Sequence, residues 1–183
     1  MQNRIILFTS VLVACATVAT PEPPASGSDS AARASHVAAE VTPSIGLPNE
    51  HAPLPGVLTG GPPDAAQLER ARGAGYKTVI SLLSDAEAGD EATQVHAAGL
   101  RFWSIPIEGP SDLNEANALR LSAAMNERGA QPLIVHCASG NRVGALLALK
   151  AYYVDHASKE AALELGERAG LRGLKRAVEA QLR

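Results

Sequence analysis

The chain predicts an α/β fold: one domain built on a mostly parallel sheet flanked by helices. Three observations predict it. Short β-branched or apolar runs alternate with Ala/Leu-rich helical stretches from residue 57 onward, the pattern of strands joined by helical crossovers. About 135 of the 183 residues, 49–183, carry enough apolar side chains for one core. The run Leu133-Ile134-Val135 reads as a buried strand that leads directly into His136-Cys137 and then a helix. Ligands in such sheets bind at the carboxyl ends of strands, and Cys137 lies at one.

Pro55 to Thr59 reads as a short strand, with Gly60-Gly61-Pro62 as a turn. Asp64 caps a helix over 65–72, which Gly73 or Gly75 ends. Lys77 to Leu83 is a strand, β-branched at its centre. A helix is expected over 85–98 with Gly99 as its stop, then a strand over 100–107 interrupted by Pro106. Residues 112–128 read as a helix. After the central strand, helices are expected over 144–156, 159–168 and 173–182.

The amino terminus has a different character. Arg4, the short apolar run Ile5 to Val13 and Leu12-Val13-Ala14-Cys15 resemble a bacterial lipoprotein signal peptide. The run is too short to span a bilayer. The resemblance implies cleavage after residue 14, lipidation of Cys15, and export to the periplasmic side of the membrane, with the outer membrane favoured. Residues 15–48 hold no aromatic side chain and are rich in Ala, Pro, Ser and Thr. That composition suits a disordered tether with a reach of roughly 30 Å. A formal net charge of -3 without a basic stripe excludes a nucleic-acid binder by composition. His51 and His96 have no ligand-like spacing, so no metal site and no cofactor are expected.

Two cysteines are present. If Cys15 is acylated, Cys137 is a free thiol in a compartment that tolerates disulfides, which points to reactivity. A thiol between a strand end and a helix start meets unpaired backbone N–H groups and the positive end of the helix dipole. That setting favours the thiolate, the nucleophilic form. Ser139, Gly140 and Asn141 contribute N–H groups to an oxyanion cradle, with Ala138 in the same loop and Arg142 as a bidentate partner. Gly140 permits a tight loop. His136 precedes the nucleophile and orders the loop.

His136-Cys137-x-x-Gly140 followed by an Arg resembles the signature of dual-specificity and tyrosine phosphatases that use cysteine. Gly60-Gly61-Pro62, Ala74-Gly75-Tyr76, Val79-Ile80 and Cys137 to Arg142 resemble, in order, the phosphatase-like domain of bacterial beta-lactamase-hydrolase-like proteins. The resemblance covers roughly residues 55–170. It implies a cysteine phosphatase-like fold and hydrolysis of phosphate monoesters through a phospho-cysteine on Cys137. A phosphorylated protein or small phosphate ester is the implied substrate. Two departures stand out. Arg142 follows Cys137 by five positions rather than six, and Val143 replaces the usual hydroxyl residue. The tighter loop also occurs in rhodanese-like sulfurtransferases, so a persulfide on Cys137 is one alternative. A non-catalytic anion-binding module is another. For the general acid, Asp112 in Gly109-Pro110-Ser111-Asp112 is the first candidate, set against a helix-capping pair with Glu115. Glu108 and Asp85 follow as fallbacks. Trp103 and Tyr76 read as core.

Overall fold

A computed structural model describes residues 42–182. The expected signal peptide (1–14), Cys15 and the expected tether up to residue 41 lie outside the described residues. Among the described residues, five strands form one sheet in the order β1-β2-β5-β3-β4. They are β1 (His51–Leu54), β2 (Val57–Gly60), β3 (Thr78–Ser81), β4 (Arg101–Ser104) and β5 (Leu133–His136). Only β1 runs antiparallel, folding back on β2 as a hairpin; the other pairings are parallel. The sequence shows one strand there because Pro53 and Pro55 break up the apolar pattern of β1.

Among the described residues, seven α-helices surround the sheet: α1 (Ala65–Gly73), α2 (Asp85–Ala88), α3 (Glu91–Ala97), α4 (Glu115–Asn126), α5 (Asn141–Tyr153), α6 (Lys159–Arg168) and α7 (Lys175–Gln181). Strand side chains point alternately to opposite faces. Leu133 and Val135 of β5, Val57 of β2 and Ile80 of β3 therefore join one core, with Leu146, Leu147, Leu121 and Cys137. Ile134, Leu58 and Val79 join the other, with Leu68, Tyr76, Val95 and Leu100. Both faces are covered, as a parallel sheet requires.

Asp64 caps α1 as expected. Its carboxylate accepts the Gln67 N–H at 2.7 Å, and Gln67 returns a bond to the Asp64 N–H. Three expectations are corrected. The helix expected over 85–98 is two helices, because Gly89 takes φ +54 and breaks the turn. The helix expected from 112 begins at Glu115, capped by Asn114, whose side chain accepts the Asn117 N–H at 3.0 Å. Asp112 ends a separate 3₁₀ turn, Pro110–Asp112, so it is not the capping partner of Glu115. The packed body also starts earlier than residue 49. Ile45 and Leu47 are buried against Leu58 and Leu68, and the Glu50 carboxylate accepts their N–H groups at 3.2 and 2.8 Å. Two apolar side chains among prolines are too few to register as a core segment in the sequence.

Candidate active site

Cys137 leaves the carboxyl end of β5 and is fully buried on the core face that α5 covers. Its N–H donates to the Gly60 carbonyl at 3.3 Å, which ties the Cys137 backbone to β2. That bond needs a close approach at Gly60-Gly61. A Cβ on Gly60 would lie 2.8 Å from the Pro48 carbonyl oxygen, and one on Gly61 2.9 Å from the Pro48 Cβ. The chain then turns through exposed Ala138 and Ser139 to Gly140 at φ +85, the N-cap of α5. The Gly140 N–H donates to Cys137 Sγ at 3.1 Å. A backbone donor aimed at sulfur stabilises negative charge there. The first N–H groups of α5, a helix of 13 residues, have no acceptor within the helix and face the same loop.

Arg142 lies in the first turn of α5. Its Nη1 donates to the Ile107 carbonyl at 2.7 Å, to the Leu82 carbonyl at 3.3 Å and to Glu87 Oε2 at 2.8 Å. Its Nη2 donates to Glu87 Oε1 at 2.8 Å. A guanidinium carries five N–H donors in a fixed plane. Beyond the bonds to Glu87 and the two carbonyls, the guanidinium also interacts with the Cys137 thiol, so it spans from Glu87 to the sulfur. The sequence does not reveal Glu87, which is 55 positions from Arg142 and belongs to the short helix α2.

The Arg142 bond, supported by the Ser84 N–H, holds the Glu87 carboxyl down at about 2 against an ordinary 4.5. The sign follows from linkage. A carboxyl lowered by folding contributes stability above its unfolded value, and that contribution is lost as pH falls through about 2. Glu87 is 42% exposed, so solvent screens the pair and the effect is small. Urea midpoints measured from pH 5 down to pH 2 should fall for the wild type. Glu87→Gln should flatten part of that slope.

The other predicted residues separate. His136 points to the opposite face of β5, as alternation dictates. It is fully buried, with Nε2 2.5 Å from Glu91 Oε1, although the two are not aligned as a hydrogen bond. Glu91 Oε2 accepts the Ser81 hydroxyl at 2.7 Å. The His136 carbonyl accepts the Leu82 N–H at 2.8 Å. His136 therefore braces the strand under the loop, and its ring does not reach the cradle. Asn141 supplies backbone to the cradle, while its side chain accepts the Arg172 N–H at 2.8 Å and pins the 170–174 turn to α5. Ala138 and Ser139 stay at the exposed rim, and Asn49 donates to the Ser139 carbonyl at 3.4 Å.

Beside Arg142 opens a groove of about 490 Å³ lined by Ser84, Ala86, Glu87, Glu108 and Arg142. Asp112 is not among its lining residues. Asp112 Oδ2 instead accepts the N–H groups of Glu108 at 2.8 Å and Gly109 at 3.2 Å. Trp103 is 40% exposed on β4 rather than core, and donates to Glu127. Tyr76 is buried, as expected.

A strand ending in a buried thiol, an N–H bonded to its sulfur and an arginine in the first turn of the following helix make up the candidate site. No protein-family model and no curated protein sequence matches the chain. Solved structures do. Tk-PTP in its active form matches with a TM-score of 0.59 at 19% identity, over 74% of this chain and 96% of that one. The fold is that of the cysteine-dependent phosphatases. Two further structures with this phosphatase fold span a range of relatives. TpbA of P. aeruginosa, in complex with pTyr, gives a TM-score of 0.53 at 24% identity, over 74% of this chain and 83% of that one. The core catalytic domain of the PP-IP phosphatase SIW14 from S. cerevisiae gives 0.55 at 15% identity, over 76% and 89%.

Proposed function

We propose that this chain hydrolyses phosphate monoesters of the phosphotyrosine or small aryl type through a phospho-cysteine on Cys137. The observation that carries the reading is the Gly140 N–H on Cys137 Sγ at 3.1 Å, with Arg142 in the first turn of the same helix and interacting with that thiol. The thiolate attacks phosphorus; an S–P bond forms and the P–O bond to the leaving group breaks. Arg142 and the cradle N–H groups take the equatorial oxygens, where charge concentrates in the transition state. Water then forms a new P–O bond, the S–P bond breaks, and phosphate leaves with the thiolate restored. The phosphatase fold of TpbA, solved with pTyr, supports an aryl phosphate as substrate. Export as a lipoprotein anchored through Cys15 belongs to this reading on sequence grounds, and it places the substrate on the periplasmic side.

One observation favours a second reading. Val143 follows Arg142 where the phosphatase signature has a hydroxyl residue, and its side chain is fully buried in the core. The same tight loop suits a persulfide. One preparation should be assayed for hydrolysis of an aryl phosphate and for sulfur transfer from thiosulfate to cyanide. Aryl phosphate turnover without sulfur transfer is the expected outcome; the reverse replaces the phosphatase with a sulfurtransferase. Binding of phosphate with neither activity leaves an anion-binding module.

A further inference from the structure

Resting on the phosphatase reading, we infer that Glu108 is the proton donor to the leaving oxygen and that Asp112 positions it. Two carboxylates share the groove with Arg142: Glu87 and Glu108. Glu87 is committed to Arg142 through both oxygens and stays ionised, so it has no proton to give. The Glu108 carboxyl makes no hydrogen bond or ion pair to the described residues and is exposed to the groove.

The backbone of Glu108 is fixed at both ends. The preceding carbonyl, that of Ile107, accepts the 2.7 Å bond from Arg142 Nη1. The Glu108 N–H donates to Asp112 at 2.8 Å, and the next N–H, that of Gly109, does so at 3.2 Å. The carbonyl of Asp112 in turn accepts the Asn117 side chain at 2.8 Å, which anchors the loop to α4. Glu108 is thus a free carboxyl whose main chain is one peptide from the oxyanion-binding guanidinium. Asp112 is the clamp behind it.

The proton balance is simple. As the P–O bond breaks, its electron pair stays on the leaving oxygen, which takes the Glu108 proton. In the second half, the Glu108 carboxylate takes a proton from the attacking water and is ready for the next cycle.

The test uses two substrates that differ in their need for a proton. Phenyl phosphate releases a basic oxygen, whereas 2,4-dinitrophenyl phosphate releases a stable phenolate. Glu108→Gln should lower kcat/KM on phenyl phosphate by about 10²-fold or more. With the dinitrophenyl ester the first-turnover burst of phenolate should stay fast and be followed by a slowed steady state, because breakdown of the phospho-cysteine then lacks its base. Asp112→Ala should also slow phenyl phosphate. Asp112→Asn, whose amide oxygen accepts the same two N–H groups, should recover most of that loss. An unchanged phenyl phosphate rate in Glu108→Gln overturns the assignment. So does an Asp112→Asn loss as large as that of Glu108→Gln, which returns the role to Asp112. Failure of the wild type to hydrolyse the dinitrophenyl ester defeats the phosphatase reading itself, a separate and recognisable result.

Discussion

Replacing Cys137 by Ser should reduce aryl phosphate turnover by ~10³-fold or more while the protein stays folded. The thiol is fully buried at the end of β5, and its sulfur accepts the Gly140 N–H. A serine oxygen fits that space and accepts the same bond, so the loop keeps its shape. The chemistry does not survive. A hydroxyl needs a base to become a nucleophile, and the one imidazole next to position 137 in sequence, His136, faces Glu91 across the sheet. Circular dichroism and phosphate binding should match the wild type. Loss of folding in the variant would show instead that the thiol's main role is packing.

The largest effect on stability should come from Gly144→Ala. Helix α5 crosses α6 at Gly144 with no room for a side chain. A Cβ there would lie 2.2 Å from the Leu171 backbone nitrogen and 2.5 Å from the Gly166 carbonyl oxygen. Both obstacles are backbone, so neither can rotate away, and α6 or the 169–171 segment has to move. Gly166 faces the same crossing, since its own Cβ would meet the Gly144 carbonyl at 2.8 Å. The expected cost is about 3 kcal/mol, which lowers the melting temperature by roughly 10 °C for a body of this size. Gly144 follows Arg142 by two residues, so the strain also reaches the cradle, and activity should fall further than stability alone explains. Gly73→Ala is the contrasting control. That glycine lies in α1 with nothing near its Cβ position, and the substitution should be neutral or mildly stabilising.

The cradle was legible in the sequence because it is local. Strand, thiol, glycine, arginine and helix start fall within ten residues, and each has its own physical signature. The parallel sheet was legible for the same reason, through the alternation of apolar runs with capped helices such as α1. What the sequence hid depends on distant partners. Glu87 reads as one more acid in a solvated stretch until folding sets it on Arg142. Glu91 is likewise ordinary until the alternation of β5 turns His136 toward it. Asp112 looked like an acid or a cap, and only the turn at 109–112 shows its carboxylate closing on the Glu108 and Gly109 N–H groups. The break at Gly89 was missed because a single glycine inside a helical pattern is usually tolerated.

As the nucleophile, Cys137 forms a covalent bond to phosphorus in each turnover. The direct measurement is intact-protein and peptide mass spectrometry on enzyme quenched in acid within milliseconds of mixing with an aryl phosphate. A parallel sample is treated with thiosulfate. The expected result is the mass of one phosphoryl group on the peptide that carries Cys137, its absence in Cys137→Ser, and no added sulfur after thiosulfate. Hydrolysis that proceeds with no phosphoryl adduct on Cys137 and persists in Cys137→Ser, or a sulfur adduct in place of the phosphoryl one, would contradict it.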